Sequence, residues 1–219
     1  MMTDAPRNRM SGAGGLYLVL TEPLIPHEAL VEHAVKRGVP IVQLREKSLA
    51  DRQLLRLAGS LRDITSGSTT LLIVNDRADI AAAVEADGVH VGPQDIDVMS
   101  ARRIVGVDAI VGVSTNTPAQ AESAPGSGAD YVAVGPVFPT TTKADARPPI
   151  GLIGVGDRAR AVGSFPTVAI GGIDATNAHD VIAAGADLVA VVSAVCRAPD
   201  PLGAIDTLLA AISEAENGR

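Results

Sequence analysis

The chain has 219 residues, 47% hydrophobic and 20% charged, enough to close one sizeable core and better suited to one domain than to two. Its formal net charge of −7, with no run of Lys and Arg, excludes an electropositive face for nucleic acid or an anionic membrane, so any phosphate site must be local. A single cysteine, Cys196, excludes an intrachain disulfide and a cysteine zinc cluster and fits a reducing, cytoplasmic compartment, and no stretch is apolar enough to span a bilayer.

Residues 1–14 are polar and Gly-rich and are expected to be a disordered lead-in, leaving 15–219 as one domain. From there short apolar runs alternate with segments of helical spacing. The order is strand Leu16 to Leu20, helix Pro26 to Arg37, strand Ile41 to Leu44, helix Leu49 to Ile64, strand Leu71 to Val74 and helix Asp79 to Ala86. It continues with strand Gly88 to Val91, helix Val98 to Val105, strand Ile110 to Val113, helix Pro118 to Ser127 and strand Tyr131 to Val134. A glycine-weakened helix over Asp157 to Val162, strand Thr167 to Ile170, helix Asn177 to Ala184, strand Leu188 to Val192 and helix Leu202 to Ala215 complete the set.

Related helix-to-strand turns recur at Lys36-Arg37-Gly38-Val39, Glu85-Ala86-Asp87-Gly88, Gly128-Ala129-Asp130-Tyr131 and Gly185-Ala186-Asp187-Leu188. Repeated βα units with this punctuation predict a parallel sheet, and eight of them favour closure into a (β/α)8 TIM barrel. An open dinucleotide-binding sheet would need a glycine-rich turn after its first strand, where this chain has Thr21-Glu22-Pro23-Leu24.

Functional groups of such a barrel sit on the loops that follow the strands. The unusual polar clusters fall there: Gln43-Leu44-Arg45-Glu46-Lys47, Asn75-Asp76-Arg77, Gly92-Pro93-Gln94-Asp95, Ser114-Thr115-Asn116, Gly135 to Lys143, Gly171-Gly172-Ile173 and Ser193-Ala194. Gly171, Gly172 and Ser193 stand where many barrels bind phosphate through backbone amides, although a tight turn would call for the same glycines. Asp76 and Asp95 end neighbouring strands and could share one Mg2+, or could cap the helices that follow. Arg45, Lys47 and Lys143 are cations on that rim, suited to phosphate or to solvent. His27, His33 and His179 fall on helices. His90 lies inside the fourth strand, where a core histidine bonded to a neighbour is expected, and Cys196 is expected to be inert.

As a set, Gln43 to Lys47, Asn75-Asp76-Arg77, Asp87 to Gly92, Gly135 to Lys143 and Ala169-Ile170-Gly171-Gly172-Ile173 resemble the thiamine phosphate synthase family, in the family's order and from about Leu16 to the last helix. The resemblance implies a transferase that joins 4-amino-5-hydroxymethyl-2-methylpyrimidine diphosphate to 4-methyl-5-(2-phosphooxyethyl)thiazole with Mg2+, releasing diphosphate by a dissociative mechanism. It implies that Gln43, Arg45, Lys47, Asn75, Ser114 and Lys143 hold the pyrimidine diphosphate, with Lys143, Arg45 and Ser114 acting in catalysis, and that Asp76 and Asp95 hold the metal. Thr140 and Thr142 would contact the thiazole phosphate, and Gly172, Val192 and Ser193 would close round its phosphate. The implied partners are these two small molecules; a homodimer is the assembly to test for.

Three positions depart from the family pattern: Pro93 at a place where a glutamine is commoner, Ser114-Thr115-Asn116 where a segment carrying His is commoner, and Leu188 where Gly is usual. The closest rival, a thiazole tautomerase on the same barrel, carries a histidine after the glycine that follows strand six, where this chain has Pro136, and has no use for the full set of cations and carboxylates. A non-catalytic thiamine-phosphate sensor would be expected to lose that set altogether.

Overall fold

A computed structural model describes residues 14–142 and 147–216. The eight Val- and Ile-rich runs form eight parallel strands that close in sequence order, with β1 (Gly15–Leu20) paired to both β2 (Ile41–Leu44) and β8 (Leu188–Val191). Between those lie β3 (Leu71–Asn75), β4 (Gly88–Val91), β5 (Ile110–Thr115), β6 (Tyr131–Val134) and β7 (Thr167–Ile170). The outer ring comprises α1 (His27–Lys36), α2 (Asp51–Thr65), α3 (Ala78–Ala83), α4 (Val98–Val105), α5 (Pro118–Ser123), α6 (Gly151–Val162), α7 (Ala178–Ala183), a single turn α8 (Ser193–Cys196) and α9 (Pro201–Glu216). None of these helices is long and apolar enough to cross a membrane.

Strand alternation divides the core in two. Leu16, Leu18, Leu20, Val42, Leu44, Leu72 and Val74 face outward and pack under the helices. Tyr17, Val19, Ile41, Leu71, Ile73, Ile110, Tyr131, Val168, Leu188 and Ala190 face inward and fill the barrel. Leu188 is a fully buried member of that inner cluster.

The repeated turns do more than stop helices. Asp87 Oδ2 accepts from Leu72 N–H on β3 (2.8 Å), Asp130 Oδ2 from Val111 N–H on β5 (2.8 Å), and Asp187 Oδ2 from Thr167 N–H on β7 (2.8 Å). Each aspartate therefore clamps the strand it introduces to the start of the preceding one. Asp87 and Asp130 are buried and also meet Arg62 and Arg102 on the outer helices, whereas Asp187 is exposed.

Two helices differ from expectation. α6 starts at Gly151, six residues before the expected Asp157, because tertiary contacts seat its first turn: Ile150 N–H donates to Pro136 O (2.8 Å) and Gly151 N–H to Val137 O (3.0 Å), while Val155 is fully buried. Local propensity alone carries no trace of those anchors. α8, a four-residue turn after β8, was not expected. It buries Cys196, whose thiol lies 3.4 Å from Val19 O and is pushed up by burial, in line with an inert cysteine.

The clamps should differ in strength. Asp130→Ala leaves Arg102 without its buried partner and should cost about 3 kcal/mol or more. Asp187→Ala removes an exposed carboxylate–amide bond and should cost about 1 kcal/mol. Urea unfolding of both variants checks the order; equal losses would show that burial of the clamp is immaterial.

Candidate active site

The inward rows of the strands continue past the apolar layer into polar residues at the carboxyl ends. On β2 the row Ile41 and Gln43 leads to Arg45, on β3 Leu71 and Ile73 lead to Asn75, and on β5 Ile110 and Gly112 lead to Ser114. These ends enclose a cavity of about 500 Å3 lined by Gln43, Arg45, Lys47, Asn75, Asp76, Asp95, Ser114, Thr140, Thr142, Gly172, Val192 and Ser193. One space thus gathers every residue that the resemblance implied, except Lys143, which lies outside the described residues.

Arg45 and Lys47 are held by the residue between them. Glu46 turns away from the cavity with its side chain nearly buried, and its Oε1 accepts from Glu22 N–H (2.5 Å) and lies 2.7 Å from His27 Nε2. Arg45 N–H donates to Leu20 O (2.9 Å) and Thr21 Oγ1 donates to Arg45 O (2.9 Å). The loop after β2 is thereby tied to the loop after β1, with its two cations turned to the cavity. No carboxylate among the described residues pairs with Arg45.

Asp76 takes a left-handed backbone (φ 63°), which aspartate tolerates better than most residues, and its N–H donates to His90 O (2.8 Å). Its carboxylate meets Lys47 Nζ at 3.0 Å and lies beside that of Asp95. Neither aspartate caps a helix: α3 has no side-chain cap, and α4 is capped by Asp97, which accepts from Ser100 N–H. Asp95 instead accepts from Gly92 N–H (2.8 Å), so Pro93 leaves it beside Asp76. Burial works against ionisation of Asp76, but the Lys47 ammonium and the adjoining Asp95 carboxyl outweigh it and hold the group below the usual carboxylate range. Burial and the Asp76 carboxylate push Asp95 up, against the opposing Gly92 amide. Among the described residues no three metal-ligating side chains cluster. Two adjoining carboxylates short of positive charge are nevertheless a donor set that Mg2+ accepts, since that ion keeps several waters and phosphate oxygens.

At the opposite side Gly171 (φ 105°) and Gly172 (φ 67°) both take the turn conformation expected of glycine. A Cβ on Gly172 would also stand 2.7 Å from Phe138 Cβ and from Pro139 O, so the loop after β6 packs directly on it. The amides of Gly172 and Ile173 donate to no acceptor among the described residues and stand beside Val192 and Ser193 at the cavity wall. Thr140 and Thr142 bond one another (3.2 Å) on the rim.

The lining also includes Tyr17, His90, Tyr131 and Arg147, which were not among the expected site residues. His90 is the bonded core histidine expected of it, with Nδ1 2.8 Å from Tyr131 Oη and Nε2 2.8 Å from Ser114 Oγ. The chain has only two tyrosines, and both stand on inward rows, a signal available in the sequence. Arg147 had no such signal, because the loop between β6 and α6 has no periodicity.

As pH falls, the first proton taken up by the carboxylate pair goes to Asp95, so divalent-cation binding should weaken while Asp76 is still charged. In metal-free protein, carboxylate 13C NMR should show one group titrating above the ordinary aspartate range, and Asp95→Asn should remove it. A titration curve unaltered by that substitution would mean that the two carboxylates do not share a proton.

Residues 16–195 match the family model described as thiamine monophosphate synthase. The thiamine-phosphate synthase of Chloroflexus aurantiacus is 50% identical over 187 residues, covering 85% of this chain and 86% of that protein. The thiamine-phosphate synthase of a Roseiflexus species is 44% identical over 95% of this chain and 89% of its own length. The solved structure of thiamine phosphate pyrophosphorylase from Pyrococcus furiosus superposes with a TM-score of 0.85 at 37% identity, covering 95% of this chain and 98% of that one. With this agreement in sequence over most of the length, and with the barrel closed in the same way, the chain belongs to the thiamine monophosphate synthase family.

Proposed function

We propose that this enzyme condenses 4-amino-5-hydroxymethyl-2-methylpyrimidine diphosphate with 4-methyl-5-(2-phosphooxyethyl)thiazole, giving thiamine phosphate and diphosphate. One observation carries the reading: a single cavity has a carboxylate pair with Lys47 and Arg45 at one end and the uncommitted amides of Gly172 and Ile173 beside Ser193 at the other. That layout suits a diphosphate with its metal at the first end and a monophosphate at the second.

The reaction is dissociative. The C–O bond to diphosphate breaks first and its electron pair leaves with diphosphate; the thiazole nitrogen then donates its lone pair to the pyrimidine methyl cation. No proton is removed from the nucleophile, so the site needs charge and geometry and no general base. Asp76 and Asp95 would hold Mg2+, which when bound supplies positive charge to the diphosphate oxygens. Arg45, Lys47 and Lys143 neutralise the leaving group, and Gln43, Asn75 and Ser114 orient the pyrimidine. Thr140 and Thr142 meet the thiazole phosphate substrate, with Gly172, Val192 and Ser193 round its phosphate. The same reading carries a cytoplasmic location and a homodimer, the latter checked by sedimentation.

Purified protein with both substrates and Mg2+ should release thiamine phosphate, and chelation of the metal should abolish product. Folded protein that makes none under those conditions overturns the assignment. Lys143→Ala should slow the single-turnover chemical step by about two orders of magnitude, the effect of removing one preorganised charge-stabilising group. An unchanged step would make Lys143 a surface charge.

A further inference from the structure

Below the charged rim the cavity floor is polar, and its groups form one continuous hydrogen-bonded chain across the barrel. Gln43 Nε2 donates to Tyr17 Oη (2.7 Å), which stands 2.7 Å from Tyr131 Oη. Tyr131 Oη stands 2.8 Å from His90 Nδ1, and His90 Nε2 stands 2.8 Å from Ser114 Oγ. The two phenols are fully buried, and the Tyr131 ring stacks on His90 with centroids 5.4 Å apart.

Donor and acceptor inventories give this chain a direction. An amide nitrogen can only donate, so Tyr17 Oη accepts from Gln43 and its own proton is left for Tyr131. Tyr131 then accepts from Tyr17 and spends its proton on His90 Nδ1. With Nδ1 an acceptor, the ring proton sits on Nε2 and is donated to Ser114 Oγ. The reverse order would strand the Tyr17 proton in a buried place, at a cost of about 1–3 kcal/mol. Burial pushes both phenols upward, so neither gives up its proton to break the order.

The barrel is shaped around this chain. A Cβ on Gly112 would stand 2.0 Å from Tyr131 Cζ and 2.3 Å from its Oη, so any other residue there would push the hydroxyl out of line. Gln43 and Ser114 end the chain, and both line the cavity, while Tyr17, Tyr131 and His90 complete its floor.

We propose that the chain Gln43–Tyr17–Tyr131–His90–Ser114 is a one-directional relay that fixes the His90 ring proton on Nε2, so that Ser114 Oγ–H is presented to the substrate as a hydrogen-bond donor. Tyr17 and Tyr131 are then positioning residues that act through His90. The relay stands on the geometry of the protein; the use of the Ser114 proton by a substrate rests on the synthase reading.

The test is the tautomer of His90 in protein carrying 15N-labelled histidine. Four histidines contribute, and loss of signals in His90→Gln assigns the one wanted. Wild type should show a protonated Nε2 and an unprotonated Nδ1. Gln43→Glu sets an acceptor in place of the amide nitrogen without altering the ring packing; the chain should reverse and the ring proton move to Nδ1. Tyr131→Phe should leave the tautomers mixed and lower kcat about tenfold, the worth of one hydrogen bond, with little change in KM. A wild-type ring proton on Nδ1, or a tautomer indifferent to Gln43→Glu, overturns the relay whether or not the enzyme turns over. The expected tautomers in a protein that makes no thiamine phosphate would support the relay and count against the synthase reading instead.

Discussion

Register between neighbouring strands is the constraint on which the rest of this structure depends. A slip of one residue would turn every inward side chain outward, emptying the barrel and scattering the site. The aspartates that introduce β4, β6 and β8 hold that register from the amino-terminal end, each taking an amide at the start of the strand before it. Two of them use their carbonyl as well: Asp87 O accepts from Ile110 N–H on β5 (2.8 Å), and Asp187 O accepts from Gly15 N–H on β1 (3.0 Å). Asp187 therefore joins β7, β8 and β1, the place where the sheet closes on itself. Side chains that never approach the cavity in this way decide which atoms reach it.

Much of this was legible in the sequence, because strands buried on both faces leave long apolar runs whose ends are marked by polar residues. The clusters at Gln43 to Lys47, Asn75-Asp76 and Ser114 to Asn116 stood out for that reason, and they do meet at one end of the barrel. Where several structural roles compete for one residue type, sequence could not choose. Asp95 could have capped α4, and only the fold shows that Asp97 takes the amide of Ser100 while Asp95 stays beside Asp76. The early start of α6 was hidden because its anchors, Pro136 O and Val137 O, are tertiary partners. The bond between Tyr17 and Tyr131 was hidden for a similar reason, since it joins residues 114 positions apart.

The site also resolves an apparent conflict in charge. A chain of net charge −7 repels anions at long range, yet its cavity is suited to two of them. The conflict is settled locally, since fields from distant surface charges are screened within about 10 Å at ordinary ionic strength. Within that distance the fold sets Arg45 and Lys47 on one loop, buries the intervening Glu46 against His27 and the Glu22 amide, and matches Asp76 with Lys47. The negative charge of Glu46 is thereby spent on holding the loop and does not oppose the ligand.

The polar floor makes stability and site geometry inseparable. A barrel of this size could be filled with Val, Ile and Leu throughout, as its lower part is, and an apolar layer would carry no hydrogen bonds to satisfy. Two phenols, an imidazole and an amide in that position are tolerable only if each finds its partner, because a stranded hydroxyl in the core costs as much as a well-made bond contributes. Each member therefore constrains the next: Gly112 must lack a side chain so that Tyr131 can reach His90, and His90 must reach Tyr131 and Ser114 together. Orientation of the polar groups that line the cavity is thus imposed by the same requirement that keeps the core folded.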